Sequence, residues 1–496
     1  MRSYLRPKIE LLDRDLIERI LAEAFELLHQ PGFRVGAPEV CELLRSHGAQ
    51  VEDGIAHLPP SLPQTVLASV PKSFDVYDRA GHVAVHYGED AIHFDPGSSC
   101  VQILDSETQQ PRPSESCDLV RLVRLTEMLP QYAAQSTAVV CSDVPSQVGD
   151  LYRLFLVLWY SDKPVITGAF SAEGLRRMLA LLAAESNGSA ELRRKPRAVF
   201  DVCPSPPLNW SEFGALNLVE LARAGVPAEI IPMPLAGATA PVTLLGSVVQ
   251  HAAECISGIV IHQLAQPGAP VVWGGAPAIF DMRTGTTPVG AMESIMLNLA
   301  CTEVGRYFHL PTHAYLVGSD AKLIDAQAGL ESGSSAVLGA LAGINMISGA
   351  GMLDFLACHS LEKLVIDAEV IDSANRLVEG FHSLTDTLAT GMFAEIGLNG
   401  NFLKLKETRA LFQREQLLPS YVIDRESASA RQNCEAGDIL TRARQRVTEL
   451  LTSYHRPSMS PDVEDALWLM MAAECARAGM SRLPGTDRHH CQEPVS

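Results

Sequence analysis

The stretch that decides the fold reads Pro311-Thr312-His313-Ala314-Tyr315-Leu316-Val317-Gly318-Ser319-Asp320-Ala321-Lys322. An Ala/Gly/Ser-rich segment follows, and then Ile344-Asn345-Met346-Ile347-Ser348-Gly349-Ala350-Gly351-Met352-Leu353-Asp354. Two short apolar runs each end in a Gly/Ser turn with an acidic residue. A helix-length segment separates them. This pattern predicts a strand–helix–strand unit with polar groups at the carboxyl ends of its strands. In an α/β barrel those ends carry the chemistry.

Working upstream, the same rhythm recurs. Strands are predicted at 137–141, 164–168, 198–203, 228–235 and 270–273, each followed by a helix, the last helix spanning 293–307. Together with 312–317 and the run at 344 they make seven strand–helix steps, which alternate as a parallel sheet requires. An eighth strand is expected near 388–396 or among the N-terminal segments. A doubly wound sheet would need a dinucleotide fingerprint, and none is present. The fold class is therefore α/β, a TIM (β/α)8 barrel over residues 126–400. A mixed α/β extension over 1–125 precedes it, and a helical region over 401–496 with a loose tail follows. Within the extension, Asp13 is a predicted N-cap, and 74–94 reads as a hairpin turning at Ala80-Gly81. Ser460-Pro461 is the predicted start of a C-terminal helix.

The 496 residues are 47% hydrophobic and 20% charged, an ordinary balance for a chain with a large core. The formal net charge of −19 argues against nucleic acid and anionic membrane surfaces as partners. The N-terminus lacks an apolar run of signal-peptide type, and no membrane span is expected. The 11 cysteines are scattered without a C-x-x-C pair, which fits a reduced, cytoplasmic chain.

Familiar catalytic motifs are missing. There is neither G-x-S-x-G nor G-x-x-x-x-G-K-[ST]. Gly349-Ala350-Gly351-Met352-Leu353-Asp354 reads as a tight barrel loop rather than a nucleotide site. His489-His490-Cys491, in the tail, is a weak metal candidate, and no metal site is expected. Acidic residues recur after strands: Asp143, Asp201, Asp281, Asp320 and Asp354. Helix capping accounts for any one of them, but their joint position at one barrel mouth favours a site. Aromatics recur there too: Phe94, Phe170, Trp210, Trp273, Phe280, Tyr315 and Phe355. Core packing explains each singly. Together they could form a cage for a quaternary ammonium ion, held by ring faces and carboxylates.

Three motifs occur in order: Phe94-Asp95-Pro96-Gly97-Ser98-Ser99 with Ile103-Leu104-Asp105-Ser106-Glu107-Thr108; Gly318-Ser319-Asp320-Ala321-Lys322; and Gly349-Ala350-Gly351-Met352-Leu353 with Asp367-Ala368-Glu369. In these the chain resembles the trimethylamine:corrinoid methyltransferase superfamily, in particular its members without pyrrolysine, such as glycine betaine methyltransferase. The resemblance implies a TIM barrel that moves a methyl group from an amine to the Co(I) of a separate corrinoid protein. No cofactor would be bound tightly by the chain itself. In the trimethylamine enzyme a pyrrolysine sits near the position of Gly318-Ser319; here that segment is uninterrupted. The resemblance thus implies a glycine betaine-like quaternary amine as substrate, with Gly318, Ser319 and Asp320 as the catalytic segment. Expected substrate-binding residues are Phe94, Gly97, Ser98, Phe170, Trp210, Trp273, Phe280, His313, Tyr315, Lys322 and Phe355. Candidates for a substrate carboxylate are His313, Lys322, Arg283 and the turn amides of Gly97-Ser98-Ser99. A homo-oligomer is expected. The alternatives are a lyase or aldolase with Lys322 as a Schiff-base lysine, and a non-catalytic quaternary-amine binder.

Overall fold

The computed structural model describes residues 6–427, 429 and 437–486. Eight short parallel strands form its centre: β1 (His93–Pro96), β2 (Gln135–Ser136), β3 (Val165–Gly168), β4 (Ala198–Val202), β5 (Ala228–Ile230), β6 (Val271–Trp273), β7 (His313–Tyr315) and β8 (Met346–Ala350). Between and after them run α1 (Ser116–Met128), α2 (Gly149–Tyr160), α3 (Ala172–Glu185), α4 (Glu212–Ala224), α5 (Leu244–Ala265), α6 (Met292–Tyr307), α7 (Ala326–Ala342) and α8 (Leu361–Glu379).

β2 to β6 pair in order, all parallel. A bridge from Trp273 to Thr312 joins β6 to β7. β7 pairs with β8, and β8 pairs with β1. The ring closes between β1 and β2, where the Ala133 amide donates to the Phe94 carbonyl at 2.9 Å and Cys100 bridges Val139 in parallel. The result is a closed (β/α)8 barrel, as the alternation predicts. The eighth strand lies in the N-terminal segments, at β1. Residues 390–396 are helical instead. The boundary at 125/126 therefore cuts through the barrel, which begins at His93.

Local chemistry sets the element ends. Ser171, Ser211, Asp325 and Ser360 accept backbone amides at the starts of α3, α4, α7 and α8. The predicted caps Asp13 and Ser460 do the same for helices Arg14–His29 and Pro461–Arg477. A hairpin forms from Phe74–Tyr77 and Val83–Tyr87, shorter than the 74–94 expected because His93 and Phe94 belong to β1. It plugs the amino-terminal end of the barrel, where Val76, Val85 and Tyr87 pack against Ala134, Ile166, Val199, Val272 and Met346. α5 is long and apolar enough to cross a membrane by length and composition, contrary to the expectation, but 83% of that window is buried as a barrel helix. Helix Arg14–His29 lies along α5, helix Ile439–Ser453 along α8 and α1, and helix Pro461–Arg477 along α3 and α2. The C-terminal helices thus complete the barrel's outer layer.

The carboxyl-terminal mouth carries a second, smaller sheet. Met352–Leu353, Cys358–His359, Gln102–Leu104 and Pro111–Pro113 pair side by side. The loops after β1 and β8 thereby form a cover beside the mouth.

Candidate active site

Alternation along a strand sends every second side chain into the barrel. On β4 and β5 this places Asp201 and Glu229 inside, in register with each other. β7 contributes His313 and Tyr315, β8 contributes Ser348 and β1 contributes Asp95. Asp95, Glu229, His313 and Ser348 are fully buried. Buried charge survives only when paired or neutralised, so the connections between these groups determine their ionisation.

Those connections form one network. The Ser348 hydroxyl donates to Asp95 Oδ1, and His313 Nε2 lies 2.9 Å from the Ser348 Oγ. Burial pushes the His313 pKa down to about 3, so the ring is neutral. Nδ1 stands 3.0 Å from Glu229 Oε1, out of line for a hydrogen bond. Desolvation holds the Glu229 carboxyl well above its ordinary range, and Asp201 and Asp95 nearby push it further. Asp95 is raised in the same way, chiefly by burial. Tyr87, from the plug, reaches Glu229 Oε2 at 3.5 Å.

Above this layer the interior is partly accessible. Ser98, Gly168, Asp201 and Tyr315 face inward yet remain partly accessible. Tyr315 Oη and Ser98 Oγ are 3.0 Å apart. The Tyr315 ring meets His313 edge-on with centroids 5.2 Å apart. Burial raises the Asp201 pKa to about 7, against hydrogen bonding from Glu229 and Tyr315. A partly accessible carboxyl group beside an aromatic ring has the chemistry to hold a small cation once it is ionised.

The expected site residues divide into three groups. His313, Tyr315 and Ser98 belong to this interior. Phe94, Trp210 and Trp273 do not. Phe94 points outward beside the inward Asp95. The Trp210 indole donates to Ser257 on α5 and the Trp273 indole to Cys301 O on α6, each at 2.9 Å. These rings are core of the helical layer and cannot line the mouth. The remaining residues stand on the surrounding loops. Phe280 follows β6. Phe170 follows β3, is 60% exposed and lies 5.2 Å from the Arg153 guanidinium. Phe355 lies under the Lys322 ammonium at 3.7 Å.

The segment Gly318, Ser319 and Asp320 is at the carboxyl side of the barrel, but its contacts are with the protein. A Cβ on Gly318 would come 2.4 Å from Leu356 Cδ2, and one on Gly97 would come 1.7 Å from Met352 Sδ. Neither glycine opens space for a ligand; the loop after β8 fills it. Ser319 Oγ donates to Glu331 at 2.5 Å. Asp320 accepts the amides of Val289 and Gly290 at 2.8 and 3.0 Å, and burial lifts its pKa to about 6. Asp143 accepts Ser116 at the start of α1. Asp281 pairs with the largely exposed Arg283. Asp354 pairs with Lys322 at 3.4 Å. Of the five acids that follow strands, Asp201 alone enters the interior. Lys322 is 59% exposed and donates to the Asp320 carbonyl at 2.6 Å, which removes the support for a buried Schiff-base lysine. His489-His490-Cys491 lies outside the described residues.

Asp95, Glu229 and Ser348 were not singled out from the sequence as site residues. The signal is present in Ala228-Glu229-Ile230 and Phe200-Asp201-Val202. A lone acid inside a doubly buried apolar strand has no place except the barrel interior.

The mouth loops are rigidly tied. Lys363 Nζ, 1% exposed, donates to Asp367 at 2.6 Å, Ser332 Oγ at 2.9 Å and the Val317 carbonyl at 3.1 Å. Asp367 in turn accepts the Gly351 amide at 2.7 Å. One buried ion pair thus pins the loops after β7 and β8 to α8. Val317, Asp354, Phe355 and Leu356 all take positive φ, between 49° and 70°. For non-glycine residues each costs about 1–3 kcal/mol and marks functional loops more often than others.

Comparison with known proteins agrees with this architecture. A family model described as trimethylamine methyltransferase matches residues 3–477. The trimethylamine methyltransferase of Desulfitobacterium hafniense is 28% identical over 440 residues, covering 88% of each chain. A glycine betaine methyltransferase of Desulfitobacterium hafniense strain Y51 is 27% identical over 480 residues, covering 96% of this chain and 99% of its own. The crystal structure of the Methanosarcina barkeri monomethylamine methyltransferase superposes with a TM-score of 0.51 at 12% identity, covering 89% of each chain. The barrel and a family match over nearly its whole length lead to one assignment: the chain is a methyltransferase of the trimethylamine methyltransferase family.

Proposed function

We propose that this methyltransferase acts on a glycine betaine-like quaternary amine and passes the methyl group to the Co(I) corrinoid of a separate protein. The observation that carries this reading is the Asp201–Tyr315 receptacle above the carboxyl-rich barrel interior. Methyl transfer from a quaternary ammonium requires no proton transfer. The acceptor's electron pair forms the new bond to carbon, the C–N bond breaks, and its electrons leave as the lone pair of a neutral tertiary amine. The protein's part is to hold and orient the cation and to exclude water. A carboxylate and one ring face suit that task, the ring being worth about 0.5–2 kcal/mol. Gly318-Ser319, with no modified residue between or beside them, supply no reactive ring. Trimethylamine is therefore not the expected substrate.

The corrinoid protein and the quaternary amine are the partners in this reading, and a second copy of the chain is a third. Between α8 and residue 421 the chain makes an excursion in which helices Thr390–Ile396 and Lys406–Glu415 bury none of their residues. Phe381, Leu388, Leu398 and Leu403 are 72–96% exposed.

The deciding experiment incubates the protein with reduced corrinoid protein and a panel of quaternary amines and trimethylamine. Methyl transfer is followed by the absorbance change of the corrinoid. Turnover of at least one quaternary amine well above trimethylamine is expected. Trimethylamine turnover matching every quaternary amine would sink the proposal.

A further inference from the structure

Arg153 stands on α2 and is 1% exposed. Its Nη1 donates to Ser99 Oγ and to the Thr137 carbonyl, both at 3.1 Å. Its Nη2 is buried and has no partner. No carboxylate among the described residues pairs with it; the nearest acid on its own helix, Asp150, spends its oxygens on the amides of Leu151 and Phe170. Phe170 covers the guanidinium face at 5.2 Å. A purely structural staple at two oxygens would not require a full positive charge, and an uncompensated buried cation is costly. An arginine with a free nitrogen in such a place is built to receive an anion, and its planar fork matches a carboxylate.

Its position is beside the loop that carries Ser98. Ser99 follows Ser98, which meets Tyr315. Thr137 follows β2, and its hydroxyl lies 3.1 Å from that of Thr167 on β3. Ser99 takes a φ of +63°, the strained turn that sends the Ser98 hydroxyl toward Tyr315 and its own toward Arg153. The three other side-chain candidates for the anion are spent: His313 is neutral, Lys322 pairs with Asp354 and Arg283 with Asp281; of the turn amides, those of Gly97 and Ser99 donate to the Ala350 and Thr137 carbonyls.

We infer that Arg153 binds the substrate's carboxylate, so that the pocket selects zwitterionic quaternary amines, with the ammonium at Asp201 and Tyr315 and the carboxylate at Arg153. The inference rests on the proposed quaternary-amine function and narrows it to one substrate class.

The test compares glycine betaine, its methyl ester and choline. All three carry the trimethylammonium head, and only the first carries an anion. On the unmodified protein, calorimetry is expected to give betaine at least about tenfold tighter binding than either cation, the usual weight of a charged hydrogen bond. Arg153→Gln should remove that difference and Arg153→Lys should keep part of it. In turnover, Arg153→Gln should raise KM for betaine about 10- to 100-fold and leave kcat within a few-fold. Equal binding of betaine and its ester by the unmodified protein overturns the inference, and this comparison stands even if a variant fails to fold. Unchanged betaine affinity in a folded Arg153→Gln protein overturns it as well. Arg153-dependent betaine binding without methyl transfer would uphold the inference and remove the transfer reading. Methyl transfer from betaine that ignores Arg153 would do the opposite.

Discussion

Asp201 is the residue whose ionisation decides cation binding. Its pKa is pushed up to about 7 by burial, so the carboxyl is protonated in the folded chain where it would be ionised in the unfolded one. Between about pH 4 and pH 7 the folded state binds more protons, and stability of the ligand-free protein from this group falls as pH rises through that window. Cation affinity runs the other way. A quaternary ammonium favours the ionised carboxylate, so it must expel a proton below pH 7, and its apparent Kd should weaken by about tenfold per pH unit once the pH is well below that value. Glu229, Asp95, Tyr87 and His313 face the same space and share the proton balance. Asp201→Asn should flatten the profile and weaken binding. Calorimetric Kd values from pH 5 to 8 give the answer, and a flat profile in the unmodified protein would refute this role. At this scale the sequence was legible in part. His313, Tyr315 and Ser98 could be named because they flank Gly/Ser turns after strands. Trp210 and Trp273 misled because an aromatic at a strand end has two faces to choose from, and one residue of register decides between mouth and helical layer.

Among elements, the loop after β8 is decisive. Leu356 fills the volume over Gly318, and Met352 the volume over Gly97. Gly318 is small because Leu356 packs against it. Gly318→Ala should therefore destabilise the protein by about 1–3 kcal/mol through overpacking, and Leu356→Ala should restore part of that loss in the double variant. Denaturant unfolding of the four proteins in this cycle measures the coupling; independent, additive effects would show that the two side chains do not compete for one space. The Lys363–Asp367 clamp gives a second expectation. Lys363→Met should cost about 3–5 kcal/mol, because Asp367 is left buried without its cation. Most of the barrel's elements were visible from alternating apolar runs and helix-length segments. β1 was hidden because His93-Phe94 reads as the end of the hairpin over 74–94 and Asp95-Pro96, with its proline and acid, as a turn. Its strand state comes from pairing with β8, more than 240 residues later, which no local pattern records.

For the whole molecule, the excursion between α8 and residue 421 demands an explanation. α8 and helix Ile439–Ser453 pack on each other, so the chain leaves and returns on one side of the barrel. Between those points Phe381, Leu388, Phe393, Leu398 and Leu403 are exposed within one short stretch of chain, and apolar side chains left bare together mark an interaction surface. The cover has to be permanent, since the surface is formed whenever the chain is folded. In the proposed reading the methyl acceptor comes and goes with each turnover and does not supply it. A second copy of the chain is present at every moment the first one is, and a two-fold pair lets each excursion lie on its partner. The protein in solution should accordingly show a mass that is a multiple of 53.6 kDa. Replacing Phe381, Leu398 and Leu403 together by serine should shift it to the single-chain mass in light scattering. The barrel should remain folded, because none of these side chains enters its core. A wild-type mass of one chain at micromolar concentration would refute the pairing and leave the excursion to a different occupant.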